Sequence, residues 1–511
     1  MCGIYGCIGN NAATVVLEGL RKLEYRGYDS AGLAALFSEI NEPIETERTT
    51  GFVADLVTKA NGRFNDATVS IGHTRWATHG GVSDANAHPH SSPDGRITVV
   101  HNGIIENATK LSAKVSKLGY NMSSETDTEV IVHLFDHELK IQPDSCNHLD
   151  AFSNVISQLE GSWAIAVMVS GLDGILISRN GAPMVVGRGL SQISISSDVQ
   201  PLYGACSEVA YLLDGDNFLI TRDGISSREE THIPEFVPLE GNYDEADPGN
   251  FDHLMLKEIF DQPASLSNAL SGRIAADGTG ADLGGFSLSP GEIKNLDRIN
   301  FVACGSAYYA AEIVSSYIRN LSKLQAEAFI SSEFPSHSAC SPRTLTIGVS
   351  QSGETKDTLD ALLDAKKNGS HVAAFCNVIG STISRFAANG SYLHAGSEFS
   401  GASTKVFTNM VATGLLFALS VSDIPANERK KIIQDLRMLP NIIQTQLISD
   451  DGSIDQASKM IFESDDPPIY IGRSYSSSVA REGALKMTEI SYLPCLAIPS
   501  GELKHGTIAL I

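Results

Sequence analysis

Short apolar or alternating runs recur through roughly the first 235 residues, each bounded by Gly, Asn or Asp turn signals. Val69–Ile71, Ile97–Val100, Ala164–Met168, Ile175–Ile177 and Phe218–Ile220 have the length and pattern of strands. Val16, Leu20 and Leu23 fall at helical spacing, and Asp127–Leu139 predicts a second helix. The mixture predicts antiparallel sheets covered by helices. Residues 236–252 then carry Pro, Gly and clustered acids, which is linker composition.

Beyond residue 290 the pattern changes. A buried-type strand at Ile299–Ala303 leads through Cys304-Gly305-Ser306 into a helix at Tyr308–Ile318. A second strand at Thr344–Val349 leads through Ser350–Thr355 into a helix at Asp357–Lys367, closed by Asn368-Gly369, and Val372–Phe375 follows as a strand. Strand–loop–helix units in series predict a doubly wound parallel sheet with helices on both faces. The unit then restarts, with a strand at Pro468–Ile471, a loop at Gly472-Arg473-Ser474 and a helix at Ser478–Met487. Cys304 precedes Glu333 by 29 positions and Gly472 precedes Glu502 by 30, so the two stretches read as copies. By that offset the counterpart of Ser350 falls near position 518, past Ile511, and the apolar run Ile508–Ile511 reads as an unfinished buried strand. The expectation is a sequence truncated within its second copy. The expected domains are 1–235, a linker with connecting helices at 236–287, and two α/β subdomains at 288–428 and 429–511, the last incomplete.

Composition narrows the class. Among 511 residues, 37 Lys+Arg face 60 Asp+Glu, a formal net charge of −23. A chain that acidic, without basic tracts, is unsuited to sequence-blind nucleic-acid binding, which needs cations to displace phosphate counterions. The best apolar stretch, Val411–Val421, is short of the roughly 18 residues a membrane span needs. Met1-Cys2-Gly3 lacks the basic start of a secretory signal. With 42% hydrophobic residues, a soluble, cytoplasmic, multidomain protein is expected. The eight cysteines, at 2, 7, 146, 206, 304, 340, 376 and 495, include no C-x-x-C, so neither zinc ribbon nor disulfide framework is indicated. Most are expected to be small buried hydrophobes. Cys2 is the exception, because a chain terminus is a poor place for a core residue.

Removal of the initiator Met would leave Cys2 with a thiol and a free α-amine, whose reference pKa of about 7.7–8 suits it to take the thiol proton. The competing reading makes Cys2 merely the first residue of a strand. Asn102-Gly103 between apolar residues is a hairpin signal; it also offers a side-chain amide and a backbone N–H, two donors of the oxyanion-hole type. Arg75, in Gly72–Gly80, can grip a carboxylate with two bonds. His73, His79, His88, His90 and His101 lack helical spacing and an accompanying carboxylate motif, which argues against a metal centre.

Taken together, Cys2-Gly3-Ile4, Tyr25–Gly32, Gly72–Gly80, Asn86–His90, His101–Glu106 and Ser124–Glu129 resemble a class II glutamine amidotransferase domain, which has an α+β N-terminal-nucleophile fold of αββα layers. The resemblance implies that Cys2 attacks the glutamine side-chain amide, passes through a thioester and releases ammonia. It implies an oxyanion hole at Asn102 and Gly103, Arg75 on the substrate α-carboxylate, Asp127 on its α-ammonium, and Trp76, Thr78 and His79 lining the pocket.

Ser350–Thr355 follows a strand and opens a helix, so hydroxyls and free N–H groups face an anion at the positive dipole end. Cys304–Ser306 and Gly401–Ser403 are similar edges, and each could alone be a helix cap. Together with Lys257–Pro263 and the repeat, they resemble the sugar-isomerase (SIS) halves of the glutamine–fructose-6-phosphate aminotransferases, from Cys2 to Ile511. That family would place fructose 6-phosphate on Cys304, Gly305, Ser306, Ser350, Gln351, Ser352 and Thr355, with Ser403 near the sugar. It would give glucosamine 6-phosphate and glutamate, the first step of hexosamine synthesis. Lys486 and Glu489, at i,i+3 on one helix face, have the spacing of an ordinary surface pair; the resemblance makes Glu489 the base that moves a proton between C2 and C1. It brings His505 to ring opening, with a neighbouring subunit's site completed across a homodimer. Ala307 stands where many members have a phosphate-binding Ser, and Thr507 where a Pro is common. The family's Schiff-base Lys would lie beyond Ile511. No metal, flavin or nucleotide is implied. A phosphoribosyl amidotransferase, a non-enzymatic sugar-phosphate sensor and a deglycase fit less well, lacking respectively the Ser350–Thr355 type of loop, any need for Cys2, and a glutaminase domain.

Overall fold

Period-two alternation with both faces buried sets the first part of the molecule. On the strand Gly161–Val169, Ala164, Ala166 and Met168 enter one core with Ile4, Ile71 and Val186, whereas Trp163, Ile165 and Val167 enter another with Val130, Phe135 and Phe152. Sheet packs on one side of this strand and helices on the other, which is why it reads as an unbroken apolar run. The structure, a computed structural model, describes the chain except residues 1, 25–26, 38–42, 77–79, 142–146, 229–232, 240–246, 276, 287–291, 294, 338–339, 450–451, 465 and 511. It divides into two compact units, 1–245 and 246–511.

In the first unit an eight-stranded and a six-stranded sheet share a core, and the strand pairs are antiparallel. The helix Ala12–Leu23 lies on the outer face of the larger sheet, where Gly72 leaves room for Val16 and Leu20. Ala108–Lys117, Glu129–Ile141 and His148–Ile156 cover the smaller one. This is the αββα layering of the N-terminal-nucleophile fold. At the edge of the larger sheet, Val237–Pro238 pairs with Glu208–Tyr211.

The hairpin expected at Asn102-Gly103 is absent. The strand Ile97–Ile105 runs straight through both residues, with Asn102 opposite Ala164 and Gly103 opposite Trp163. Gly103 answers a different need: its φ is +122°, and a Cβ there would lie 2.0 Å from the Ser162 carbonyl oxygen.

The second unit holds a five-stranded parallel sheet in the order Gln325–Ile330, Arg298–Ala303, Thr344–Ser350, His371–Cys376, Gly390–Tyr392. Ile299, Phe301 and Ala303 pack toward the helices Ser306–Leu321 and Lys405–Ser420, and Val302 packs toward Leu359 and Leu362 of Lys356–Lys367. Helices on both faces make the sheet doubly wound. Gly414 lets its helix close on the neighbour, since a Cβ there would meet Val314 at 2.1 Å. The second copy pairs Ile469–Gly472 with Leu496–Pro499 in parallel around the helix Tyr475–Ser491.

Two expectations fail. The run that read as a buried strand is a 3-10 turn, Thr507–Leu510, with Ile508 52% and Leu510 57% exposed, while Ile511 lies outside the described residues. Apolar character here does not bring burial. Of the cysteines beyond Cys2, only Cys7 and Cys376 are buried among the described residues; Cys206, Cys304, Cys340 and Cys495 are half-buried, and Cys146 is not described. Among the described residues no helix is long and apolar enough to cross a membrane.

Candidate active sites

Cys2 immediately precedes the strand Gly3–Ile8, which pairs antiparallel with Val69–Arg75, Gly3 opposite Thr74. That register carries Arg75 and Trp76 to the cysteine. The Trp76 N–H donates to Cys2 Sγ at 3.3 Å, and the Trp76 carbonyl lies 3.6 Å from the same sulfur. Asn102 Nδ2 donates to the Cys2 carbonyl at 3.0 Å. Burial pushes the Cys2 thiol up, against the Trp76 N–H and the charge of Arg75, so at neutral pH the sulfur is protonated and needs a base.

Behind Asn102 sits His73, fully buried, with Nε2 3.0 Å from both Asn102 Oδ1 and the His101 carbonyl. Both partners are acceptors, so Nε2 carries the proton. Burial holds His73 down to about 3, keeping it neutral. The bond fixes which way the Asn102 amide faces: oxygen toward His73, nitrogen toward Cys2. Sequence reasoning placed His73 only among possible metal ligands and missed this role. The pleat was the available signal, because His73 and Arg75 share a face of one strand. Among the described residues no group of three or more His, Cys, Asp or Glu is placed to hold a metal.

Arg75 is 4% exposed and donates to the Gly81 and Gly80 carbonyls at 3.2 and 3.4 Å. Asn86 Nδ2 bonds the Gly81 carbonyl at 3.0 Å and Glu125 Oε2 at 3.1 Å, while the Gly81 N–H reaches Glu125 Oε2 at 3.3 Å. Asn86 and Glu125 thus anchor the far end of the segment carrying Thr78 and His79, which themselves lie outside the described residues. Asp127 accepts from the Ile105 N–H at 2.8 Å, two residues past Gly103.

In the second unit, Cys304 and Ser350 stand at the carboxyl ends of adjacent parallel strands. Ser350 Oγ is 3.0 Å from Thr355 Oγ1 and accepts from the Gly353 N–H at 3.0 Å. Gly353 has φ +67°, and a Cβ there would lie 1.9 Å from Ser381 Oγ, so the loop shape requires glycine. Ser352 Oγ accepts from the Glu354 N–H, and the Gln351 carbonyl takes the N–H groups of Asn377 and Val378. The helix-cap reading fails in a specific way. Gly305, Thr355 and Thr404 occupy the N-cap positions of their helices, and none makes a side-chain cap bond. The hydroxyls of this edge are engaged with each other or turned elsewhere. That of Ser403 is closed off from water with no hydrogen-bond partner among the described residues.

Lys486 is ion-paired on both sides, to Glu489 at 2.5 Å and to Glu482 at 3.6 Å, with its side chain only 17% exposed. Glu482 was not singled out in the sequence, although its i,i+4 spacing to Lys486 was readable. Burial pushes its carboxyl up, against Lys486 and the Ser306 hydroxyl, which favour the charged form. The helix of the second copy also packs on the helix Ser306–Leu321 of the first, its Ser478 hydroxyl donating to Glu312 Oε2 at 3.1 Å. Arg481 reinforces the contact, bonding Glu312 at 2.6 Å. His505 is exposed, and its imidazole takes no part in these ion pairs. Ala307 is buried in the first turn of its helix.

Family models match both units of the chain. A model described as a glutamine amidotransferase domain matches residues 73–215, and one described as a SIS domain matches 292–420. The glutamine–fructose-6-phosphate aminotransferase (isomerizing) of Clostridium tetani is 40% identical over 521 aligned residues, covering 100% of this chain and 84% of its own length. That of Thermus thermophilus is 36% identical over 520, with the same coverage. Among solved structures, the C-terminal domain of glucosamine-fructose-6-phosphate aminotransferase from Francisella tularensis is 33% identical with a TM-score of 0.48, covering 52% of this chain and 75% of that one. With identity sustained through both units, the chain belongs to the family of glutamine–fructose-6-phosphate aminotransferases (isomerizing).

Proposed function

We propose that the protein hydrolyses glutamine at Cys2 and uses the ammonia to convert fructose 6-phosphate into glucosamine 6-phosphate, releasing glutamate. The observation that carries this reading is the Cys2–Asn102–His73 arrangement, a thiol beside a side-chain amide whose orientation is fixed from behind. An α-amine on Cys2 takes the thiol proton, and the sulfur attacks the carboxamide carbon. Asn102 Nδ2 and the Gly103 N–H meet the oxyanion. The C–N bond breaks as the amine returns the proton to the leaving ammonia, and water then hydrolyses the thioester. Arg75, Trp76, Thr78, His79 and Asp127 hold the substrate, Arg75 and Asp127 taking its carboxylate and ammonium ends.

At the second site, Ser306, Ser350, Gln351, Ser352 and Thr355 bind the phosphate at the helix N-terminus, with the Cys304–Gly305 turn beside them and Ser403 reaching the sugar. Glu489 moves the proton between C2 and C1, with Lys486 ion-paired beside it, and His505 serves ring opening. A homodimer and a cytoplasmic location fit this chemistry. The test is Cys2→Ala in the full-length protein. Glutamate release should vanish, while amino-sugar formation from high free ammonia persists. Glutamine turnover surviving that change would remove Cys2 as nucleophile.

A further inference from the structure

The helices Leu254–Phe260 and Gln262–Leu270 turn an unusual face inward: Glu258, Asp261, Gln262 and Ser265 recur at i, i+3, i+4 and i+7, the spacing of a buried stripe, yet all four are polar. Each is bonded to the segment 399–409. Glu258 is 2% exposed. Its Oε1 accepts the N–H groups of Phe399, at 2.5 Å, and Ser400, at 3.2 Å, and its Oε2 accepts the Ser400 hydroxyl. Asp261 pairs with Lys405 at 3.2 Å, Gln262 Oε1 accepts from Thr408 Oγ1 at 2.6 Å, and the Ser265 hydroxyl donates to Asn409 Oδ1 at 3.0 Å.

Among the described residues Glu258 has no cation in ion-pair range, although burying a bare carboxylate is costly. Charge-assisted bonds to a loop backbone are what sustain it. The loop so held runs through Gly401, at φ +77°, to Ser403, whose hydroxyl is shut away from water and unpartnered. Just beyond, Glu398 Oε1 accepts from the Thr404 and Val406 N–H groups at 2.7 and 3.2 Å, so the loop is pinned by a carboxylate at either end.

We propose that Glu258 is a positioning residue for the sugar-phosphate site. Its carboxylate sets the backbone of residues 399–403 and thereby the place of the Ser403 hydroxyl, which a six-carbon keto-sugar phosphate meets. The proposal rests on the reading of Ser350–Thr355 and Ser403 as that site.

The test is calorimetric titration of the full-length protein with fructose 6-phosphate. Glu258→Ala should weaken binding about tenfold or more, the effect of losing several buried bonds to one loop. Glu258→Gln should stay within about threefold of the parent, because its Oε1 still accepts both N–H groups and its amide can donate to Ser400 Oγ, which turns its own proton to the Ala402 carbonyl 3.0 Å away. Ser403→Ala should cost little more once Glu258→Ala is present, since the hydroxyl is already misplaced; a bystander would give independent, multiplying losses. If Glu258→Ala does not fold, Ser400→Ala, which removes the Oε2 contact and the hydroxyl's bond to the Ala402 carbonyl but leaves both N–H bonds to Oε1, should still weaken binding and speed amide exchange at Phe399 and Ser400. Multiplying losses, or parent-like affinity in Glu258→Ala or Ser400→Ala, overturns the proposal. Failure of the underlying reading looks different: Ser350→Ala would then leave fructose 6-phosphate binding untouched.

Discussion

Asn102 donates to the Cys2 carbonyl only while its amide faces one way, and the buried imidazole of His73 decides which way that is. His73→Ala should lower kcat for glutamine hydrolysis by about 10–100-fold with KM nearly unchanged, somewhat less than removing an oxyanion donor outright. His73→Gln, whose amide nitrogen can occupy the Nε2 position, should recover much of that loss in the same glutamate-release assay. That Cys2, Arg75 and Asn102 lie together was legible from residue type and resemblance. The reason for Gly103 was not. Asn-Gly is a turn signal when only local sequence is considered, whereas here the glycine answers the approach of Ser162 from a strand far along the chain. The same holds for Glu258, whose partners lie in a loop far along the chain, whereas the pleat of Val69–Arg75 and the i,i+4 spacing to Lys486 left signals for His73 and Glu482.

At the scale of elements, the loop after a strand is the working part. Gly353 sits where a side chain would collide with Ser381 and where φ is positive, so Gly353→Ala should displace Ser350 and Thr355 and weaken fructose 6-phosphate binding at least about tenfold by titration. The sheet beneath depends on its own packing. Phe301, fully buried beside Phe375, should cost about 3–5 kcal/mol on truncation to Ala, read as a lowered urea midpoint of the second unit. Strand–loop–helix units were readable because parallel strands buried on both faces give continuous apolar runs bounded by small residues. Helix ends proved longer than their apolar cores, as at Ser306–Leu321, because periodicity marks only the buried turns. The run Ile508–Leu510 shows the limit of apolarity as a signal, for it forms an exposed 3-10 turn.

At the scale of the whole molecule, pH should act first through the glutaminase unit. His73 and His90 are each held down to about 3, and His88 well below its ordinary value, all by burial. The unfolded chain therefore binds protons that the folded one refuses. Stability is unaffected above about pH 6.5 and falls as pH drops from there toward 3, by about 1.4 kcal/mol per pH unit for each histidine. Urea unfolding of this unit should show its midpoint falling between pH 7 and 5. In His73→Gln the slope should be shallower by one proton. Joining the two units into one catalyst is the larger claim. The most direct measurement of it supplies the full-length protein with fructose 6-phosphate and glutamine labelled with nitrogen-15 in the side-chain amide, then follows the label by mass spectrometry. Label should appear in glucosamine 6-phosphate in step with glutamate, and disappear from it in Cys2→Ala. Stoichiometric glutamate release with all the label left as free ammonia would contradict the coupling of the two sites.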